Sequence, residues 1–368
     1  MKSAQKLPAV NDLFRERRHL LAGRGATVLW AALEAIAARD GERGEVILPD
    51  ILCTSVLEAV LAAGFTPRFA EVDPEKYSLT AETIQPHMSK QTKAIIVVHL
   101  FGHVAPVEVI SDLLAGTGIR LIEDAVQAIG GTLLSGQPVG SRGDFSFVSF
   151  DSTKIIRGRG AVLFYDDEVW TDYLLSALDE IEEASDSPSD SLLNVSWRDL
   201  YHGLGQALRQ GKMPAEEAAR VFRAALPIYR PLLFRAFDAG DENLGVILRD
   251  WDTLPERIEQ RNALAVALQK AFTDFPILCP SVQSGDAIWR YSVRLPSREA
   301  ADRFVVALRE QGGLVSHLYY PLHQLYQPDQ QLSTPGLSTC LVNLWVDETV
   351  DELYVQLVRS IAQTTLNH

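Results

Sequence analysis

Cysteine is scarce. Cys53, Cys279 and Cys340 are the three in 368 residues, an odd and widely spaced set. They form neither a disulfide framework nor a CxxC metal pair, and such sparse usage fits a reducing compartment. Long apolar runs are also missing: no stretch approaches the ~18 residues that span a bilayer. The opening MKSAQKLPAVNDLFRERRHL lacks the apolar centre of a signal peptide. A cytoplasmic protein with no membrane partner is expected. No Lys/Arg-rich tract occurs, and 34 basic against 48 acidic side chains give a formal charge of −14. Nucleic acid is therefore excluded as an expected partner, because duplex binding needs a basic face. An anionic ligand would have to be held by local groups, such as helix N-termini or single arginines, against the net field. What remains is ordinary globular composition, 47% hydrophobic and 22% charged, without internal repeats.

From about residue 25 to 170, short β-branched runs alternate with helical patterns. The strands expected are 45–48, 67–72, 94–99, 120–123, 145–150 and 160–165, with helices over 26–38, 54–63 and 106–114. This alternation predicts an α/β fold with a mainly parallel sheet sandwiched by helices. Ligands in such sheets sit at the carboxyl ends of strands. Residues 170–235 read as helical and acidic, with Asp186–Asp190 as a loop. A periodic helix over 253–272, a strand over 288–295, a helix over 297–311 and a closing helix after Asp347 describe a smaller α+β unit. The expected division is a large domain over 1–240 and a small C-terminal domain over 241–368. Leu13, Leu20 and Leu21 form an early apolar stripe suited to packing on another subunit.

Three features could carry chemistry. Lys154 follows the apolar run Phe145–Phe150, and a lysine partly desolvated at a strand end becomes a nucleophile for carbonyls. The bland alternative is a solvated loop lysine. Asp124 ends the run Arg120–Glu123, so its carboxylate emerges at the ligand edge. There it could hold the protonated nitrogen of a pyridine cofactor, or simply cap a helix. Gly23-Arg24-Gly25-Ala26-Thr27 leads into a helix, and small residues there let backbone N–H groups approach a phosphate. His99 and His103 stand four apart, but that spacing aligns side chains only on a helix, so no metal site is expected.

In this order the features resemble the DegT/StrS-type sugar aminotransferases, which are fold-type-I pyridoxal-phosphate enzymes. The resemblance rests on LIEDAVQAIGG (121–131) and VGSRGDFSFVSFDSTK (139–154), supported by GRGATVLWAAL (23–33), TKAIIVVHLFGH (92–103), GRGAVLFYDD (158–167) and YYPLH (319–323). It implies pyridoxal 5'-phosphate as cofactor, Lys154 as the Schiff-base lysine and Asp124 as partner of the ring nitrogen. It further implies Gln127 near the phenolic oxygen, Ser149 on the phosphate, and Gly25, Ala26 and Thr27 as the phosphate turn. Cys53 stands where the family places an aromatic residue over the ring. Tyr320 and His323 fall where the small domain borders the substrate cleft.

The activity implied is transfer of an amino group from an amino acid such as glutamate to a keto sugar, nucleotide-linked, by a homodimer whose sites are shared. The Asn-Tyr-Arg stretch that many relatives lend to the neighbouring subunit is absent. Related sugar dehydratases carry histidine at the position of Lys154, which disfavours dehydration. A non-catalytic regulatory protein on the same fold is the third reading.

Overall fold

The computed structural model describes residues 17–179, 181, 188–317, 319–332 and 337–366. Seven strands form one sheet: β1 (Arg18–Ala22), β2 (Glu45–Pro49), β3 (Thr66–Ala70), β4 (Thr92–Val98), β5 (Arg120–Asp124), β6 (Phe145–Phe150) and β7 (Gly160–Tyr165). Their order is β1-β7-β6-β5-β4-β2-β3. The β6-β5-β4-β2-β3 part is parallel, whereas β7 runs antiparallel to both β6 and β1.

Alternating residues of these strands feed two cores, one on each face, as the period of two requires. Val46, Leu48, Ile96, Phe145, Phe147 and Leu163 face the helix Gly25–Asp40. Ile47, Ile95, Val97, Val148, Val162 and Phe164 face the other way. Burial on both faces explains why the strands read as nearly continuous apolar runs.

The strand β1 corrects the sequence reading of the early stripe. Leu20 pairs with Leu163 across β1 and β7 and is buried in the chain's own core, and Leu21 packs on the opposite face. Leu13 lies outside the described residues. The loop expected at 186–190 is corrected in part: a helix runs Pro188–Arg209, with proline at its first turn, where no N–H is needed. Asp186 and Ser187 are outside the described residues.

The remaining strands, β8 (Tyr291–Arg294), β9 (Val315–Ser316) and β10 (Leu341–Leu344), form an antiparallel sheet in the order β8-β10-β9. It packs with the helices Arg298–Glu310 and Glu352–Leu366 around Tyr291, Val293, Phe304, Val342 and Val358. The helix Asp241–Asp252 contributes Ile247 and Trp251 to the core beneath the large sheet, and the following helix Leu254–Ala271 contributes Leu254 there and Leu268 to the small-sheet core.

Candidate active site

A cavity of about 810 Å³ opens at the carboxyl ends of β4, β5 and β6, and its walls include Gly25, Asp124, Gln127, Ser149 and Lys154. Parallel strands release their side chains at this edge, so residues far apart in sequence converge there.

Asp124 is the last residue of β5 and is 5% exposed. One carboxylate oxygen accepts the Val126 N–H at 3.0 Å. Burial lifts its carboxyl to about 6, against the opposing pull of that N–H and of the Lys154 charge. Lys154 sits in the hairpin that joins β6 to the antiparallel β7, whose last paired residues are Phe150 and Gly160. Asp151 shapes this hairpin by accepting the Thr153 N–H and hydroxyl at 3.0 and 2.9 Å.

At the other end of the cavity the helix Gly25–Asp40 begins with no side-chain cap. Its first backbone N–H groups and its dipole therefore point an electropositive end inward. A Cβ at Gly25 would stand 3.4 Å from the Ser149 Cβ and 3.6 Å from its hydroxyl. Gly25 and Ser149 thus face each other across a cradle that a larger side chain would fill.

The other expected residues divide. Ala26 and Cys53 line the cavity, and the exposed Cys53 thiol is 3.5 Å from the Ser55 hydroxyl. Gln127 lines it too, but both ends of its amide are engaged. Its oxygen accepts the Phe101 N–H at 2.7 Å and its nitrogen donates to the Tyr319 hydroxyl at 2.9 Å. Thr27 does not line the cavity; its buried hydroxyl donates to the Leu233 carbonyl and accepts the Arg235 N–H.

Tyr320 and His323 also stand apart from the cavity. Tyr320 packs edge-on against Tyr201 at 5.4 Å, in a separate pocket beside Gly205 and Arg209. The His323 ring and backbone N–H both reach one oxygen of Asp50, at 2.7 and 2.8 Å, which docks the helix Leu322–Tyr326 onto the end of β2. His99 and His103 are each bonded to a buried carboxylate, Glu123 at 2.9 Å and Asp286 at 3.0 Å.

Several cavity residues were given no role by the sequence. Arg24, Arg159, Asn194, Arg235 and Asp238 line it, and the last three come from the segment read only as helical and its continuation. The Gly23 N–H donates to the Arg235 carbonyl at 2.6 Å, so the stretch Leu233–Asp238 lies against the glycine turn. Glu58 accepts the Trp197 indole N–H at 2.9 Å and ties the helix Pro188–Arg209 to the helix Thr54–Ala62. Burial raises its carboxyl to about 7.

Residues 9–180 match the model of the DegT/DnrJ/EryC1/StrS aminotransferase family. A UDP-N-acetyl-3-dehydro-alpha-D-glucosamine 3-aminotransferase of Acidithiobacillus ferrooxidans is 40% identical over 136 residues, 37% of this chain. That stretch spans only 36% of the relative's own length. A dTDP-4-dehydro-2,3,6-trideoxy-D-glucose 4-aminotransferase of Saccharopolyspora spinosa is 25% identical over 94% of this chain and 83% of its own.

Among solved structures, the Helicobacter pylori aminotransferase PseC, of pseudoaminic acid biosynthesis, superposes with a TM-score of 0.74 at 16% identity, covering 97% of this chain and 89% of that one. At that identity the likeness speaks for the fold, which is that of the fold-type-I aminotransferases. With its strand-end lysine and aspartate on this sheet, the chain resembles the DegT/DnrJ/EryC1/StrS aminotransferases over residues 9–180, the stretch that their family model matches.

Proposed function

We propose that this protein is a pyridoxal-phosphate-dependent aminotransferase that moves an amino group from an amino acid, with glutamate as donor, to a keto sugar carried on a nucleotide. The observation that carries the reading is the convergence of Lys154, Asp124 and the Gly25–Ser149 cradle on one cavity. These residues fit the cofactor. Asp124 is a buried carboxylate with a raised proton affinity, the setting in which a cationic ring nitrogen as partner would favour its ionised form. The cradle offers backbone N–H groups and a hydroxyl to a phosphate. When bound, pyridoxal phosphate supplies an aldehyde that condenses with amines and a ring that withdraws electrons.

The chain's own part follows from its side chains. The Lys154 amine would hold the cofactor and, when free, would carry a proton on Nζ to and from the reacting carbon. The Asp124 carboxylate keeps its negative charge beside the ring nitrogen. Ser149 and the first turn of the helix at Gly25 and Ala26 would hold the phosphate, while Gln127, anchored by Phe101 and Tyr319, would lie near the phenolic oxygen. Cys53 would offer a thiol toward the ring face.

We assign Tyr320 and His323 a supporting role in the substrate cleft. Domains over 1–240 and 241–368, a cytoplasmic location and a C₂ homodimer complete the proposal. Among the described residues no helix is long and apolar enough to cross a membrane.

The deciding experiment adds L-glutamate to cofactor-loaded protein and follows conversion of the cofactor to its amine form, then screens keto-sugar nucleotides as acceptors. A loaded protein that leaves glutamate and cofactor unchanged would be a non-catalytic member of the fold. Loss of water from a sugar without any amino donor would make it a dehydratase. Sedimentation of the loaded protein at twice 40.7 kDa is the result expected for the dimer.

A further inference from the structure

Lys154 carries its ammonium over the face of an indole. Nζ stands 4.8 Å from the centroid of the Trp289 ring, within the ~6 Å reach of a cation–π contact. The same indole donates its N–H to the Thr153 carbonyl at 2.6 Å. One half-buried side chain therefore touches both the lysine head and the peptide that precedes it.

Trp289 is itself braced. The Arg290 guanidinium lies 4.8 Å from the Trp289 ring and 4.2 Å from the Trp345 ring, and it is paired with Asp347 at 2.9 Å. The Phe101 carbonyl accepts the N–H groups of Trp289 and Arg290 at 2.8 and 3.3 Å. That approach depends on Gly102, whose φ is +95° and where a Cβ would stand 2.1 Å from the Ala287 carbonyl oxygen.

We propose that Trp289 is a positioning residue for Lys154: its ring face holds the ε-ammonium in place beside the cavity, while its N–H fixes the hairpin beneath. The proposal rests on Lys154 being the reactive amine. It extends that reading by naming the group that receives the lysine whenever it carries a proton. An indole suits this task, because its negative face attracts a cation without offering an acceptor that would take the proton. The other charged groups lining the cavity are Asp124, Asp151, Arg24, Arg159, Arg235 and Asp238, and Arg290 lies against the indole. All of them are common to wild type and variants, so a comparison of the two isolates the ring.

The test uses the full chain without cofactor, so it does not depend on the transamination reading. Competitive acetylation with acetic anhydride is followed at the Lys154 peptide by mass spectrometry between about pH 8 and pH 12, a window that spans the ordinary lysine titration near 10.4, with the other lysines as references. Trp289→Leu is expected to label Lys154 about 2- to 30-fold faster at the acid end, the range a lost cation–π contact spans. The two proteins should converge at the alkaline end, where the amine is neutral in both. Trp289→Phe, which keeps a ring face, should stay within about 2-fold of wild type.

A Leu variant that labels at the wild-type rate throughout would overturn the proposal. So would one faster by the same factor at every pH, which would mean only that the site had been opened. If the Leu variant does not fold, Trp289→Met carries the same expectation and the same refutation. Failure of glutamate to convert the cofactor, with the labelling pattern intact, would count against the aminotransferase reading alone.

Discussion

The floor and the cover of the cavity are built differently. On the floor, Asp124, Ser149 and Lys154 come from β5, β6 and the hairpin after β6. Their positions start from where strands end, and Trp289 then holds the Lys154 hairpin from outside the sheet. On the cover, Asn194, Arg235, Tyr319 and Trp289 come from the second half and reach the site through individual long-range contacts, such as the Tyr319 hydroxyl on Gln127. Chemistry is thus fixed by backbone topology, whereas the fit around it depends on individual side chains.

The floor gives the largest expected effects. Lys154→Ala should lower transamination by ~10⁴-fold, since the anchoring and proton-carrying roles disappear together. Turnover near the wild-type level with glutamate would remove the lysine from the floor altogether. Asp124→Asn should cost ~10²-fold in kcat through the lost charge at the ring nitrogen.

The same variant should stabilise the cofactor-free protein. Wild-type Asp124 releases its proton near 3.8 when unfolded but at about 6 when folded. Its ionisation therefore costs stability as pH rises through that window, up to about 3 kcal/mol above it. Denaturant midpoints of wild type and Asp124→Asn should coincide below about pH 4 and separate in favour of Asn above pH 6. An equal gap at all pH values would deny that charge burial is the cause.

Gly102→Ala probes the joint between floor and cover. Its positive φ and the 2.1 Å approach to the Ala287 carbonyl should make the change destabilising by about 2–3 kcal/mol, as read by chemical denaturation. Smallest is Tyr319→Phe, which leaves one amide hydrogen of Gln127 without its partner and should cost about 1 kcal/mol of stability with a change in KM rather than kcat. A kcat loss as large as that of Asp124→Asn would move Tyr319 from the cover to the floor.

The sequence made the floor legible because both of its signals are local. β-branched runs mark strands buried on both faces, and a polar residue directly after such a run is a strand-end group. Lys154 and Asp124 were readable in this way, and Gly25 from the small residues that open the helix Gly25–Asp40. Thr27 illustrates the limit. It belongs to the same glycine turn, yet each helical residue advances about 100°, so two positions after Gly25 the side chain points at Leu233 instead of the cavity.

In YYPLH the neighbouring tyrosines face opposite ways. Tyr319 reaches Gln127, whereas Tyr320 turns to Tyr201 and Gly205. Choosing between adjacent residues there requires the register of a non-helical segment, which composition does not encode. Asn194 and Trp289 had no local mark at all, because what makes them site residues is a packing partner more than 100 positions away.

The closure of the lysine hairpin by the pair Phe150–Gly160 has a consequence for how the amine finds its target. Residues 151–159 form a tether with both ends fixed to neighbouring strands, so the free amine explores a small volume. Its effective concentration at the reacting carbon is correspondingly high. Lengthening that tether would add little to the entropy of folding, since each doubling of a loop costs only about 0.6 kcal/mol. It would dilute the amine, however, and the enzyme would stay folded while its lysine returned more slowly after every turnover.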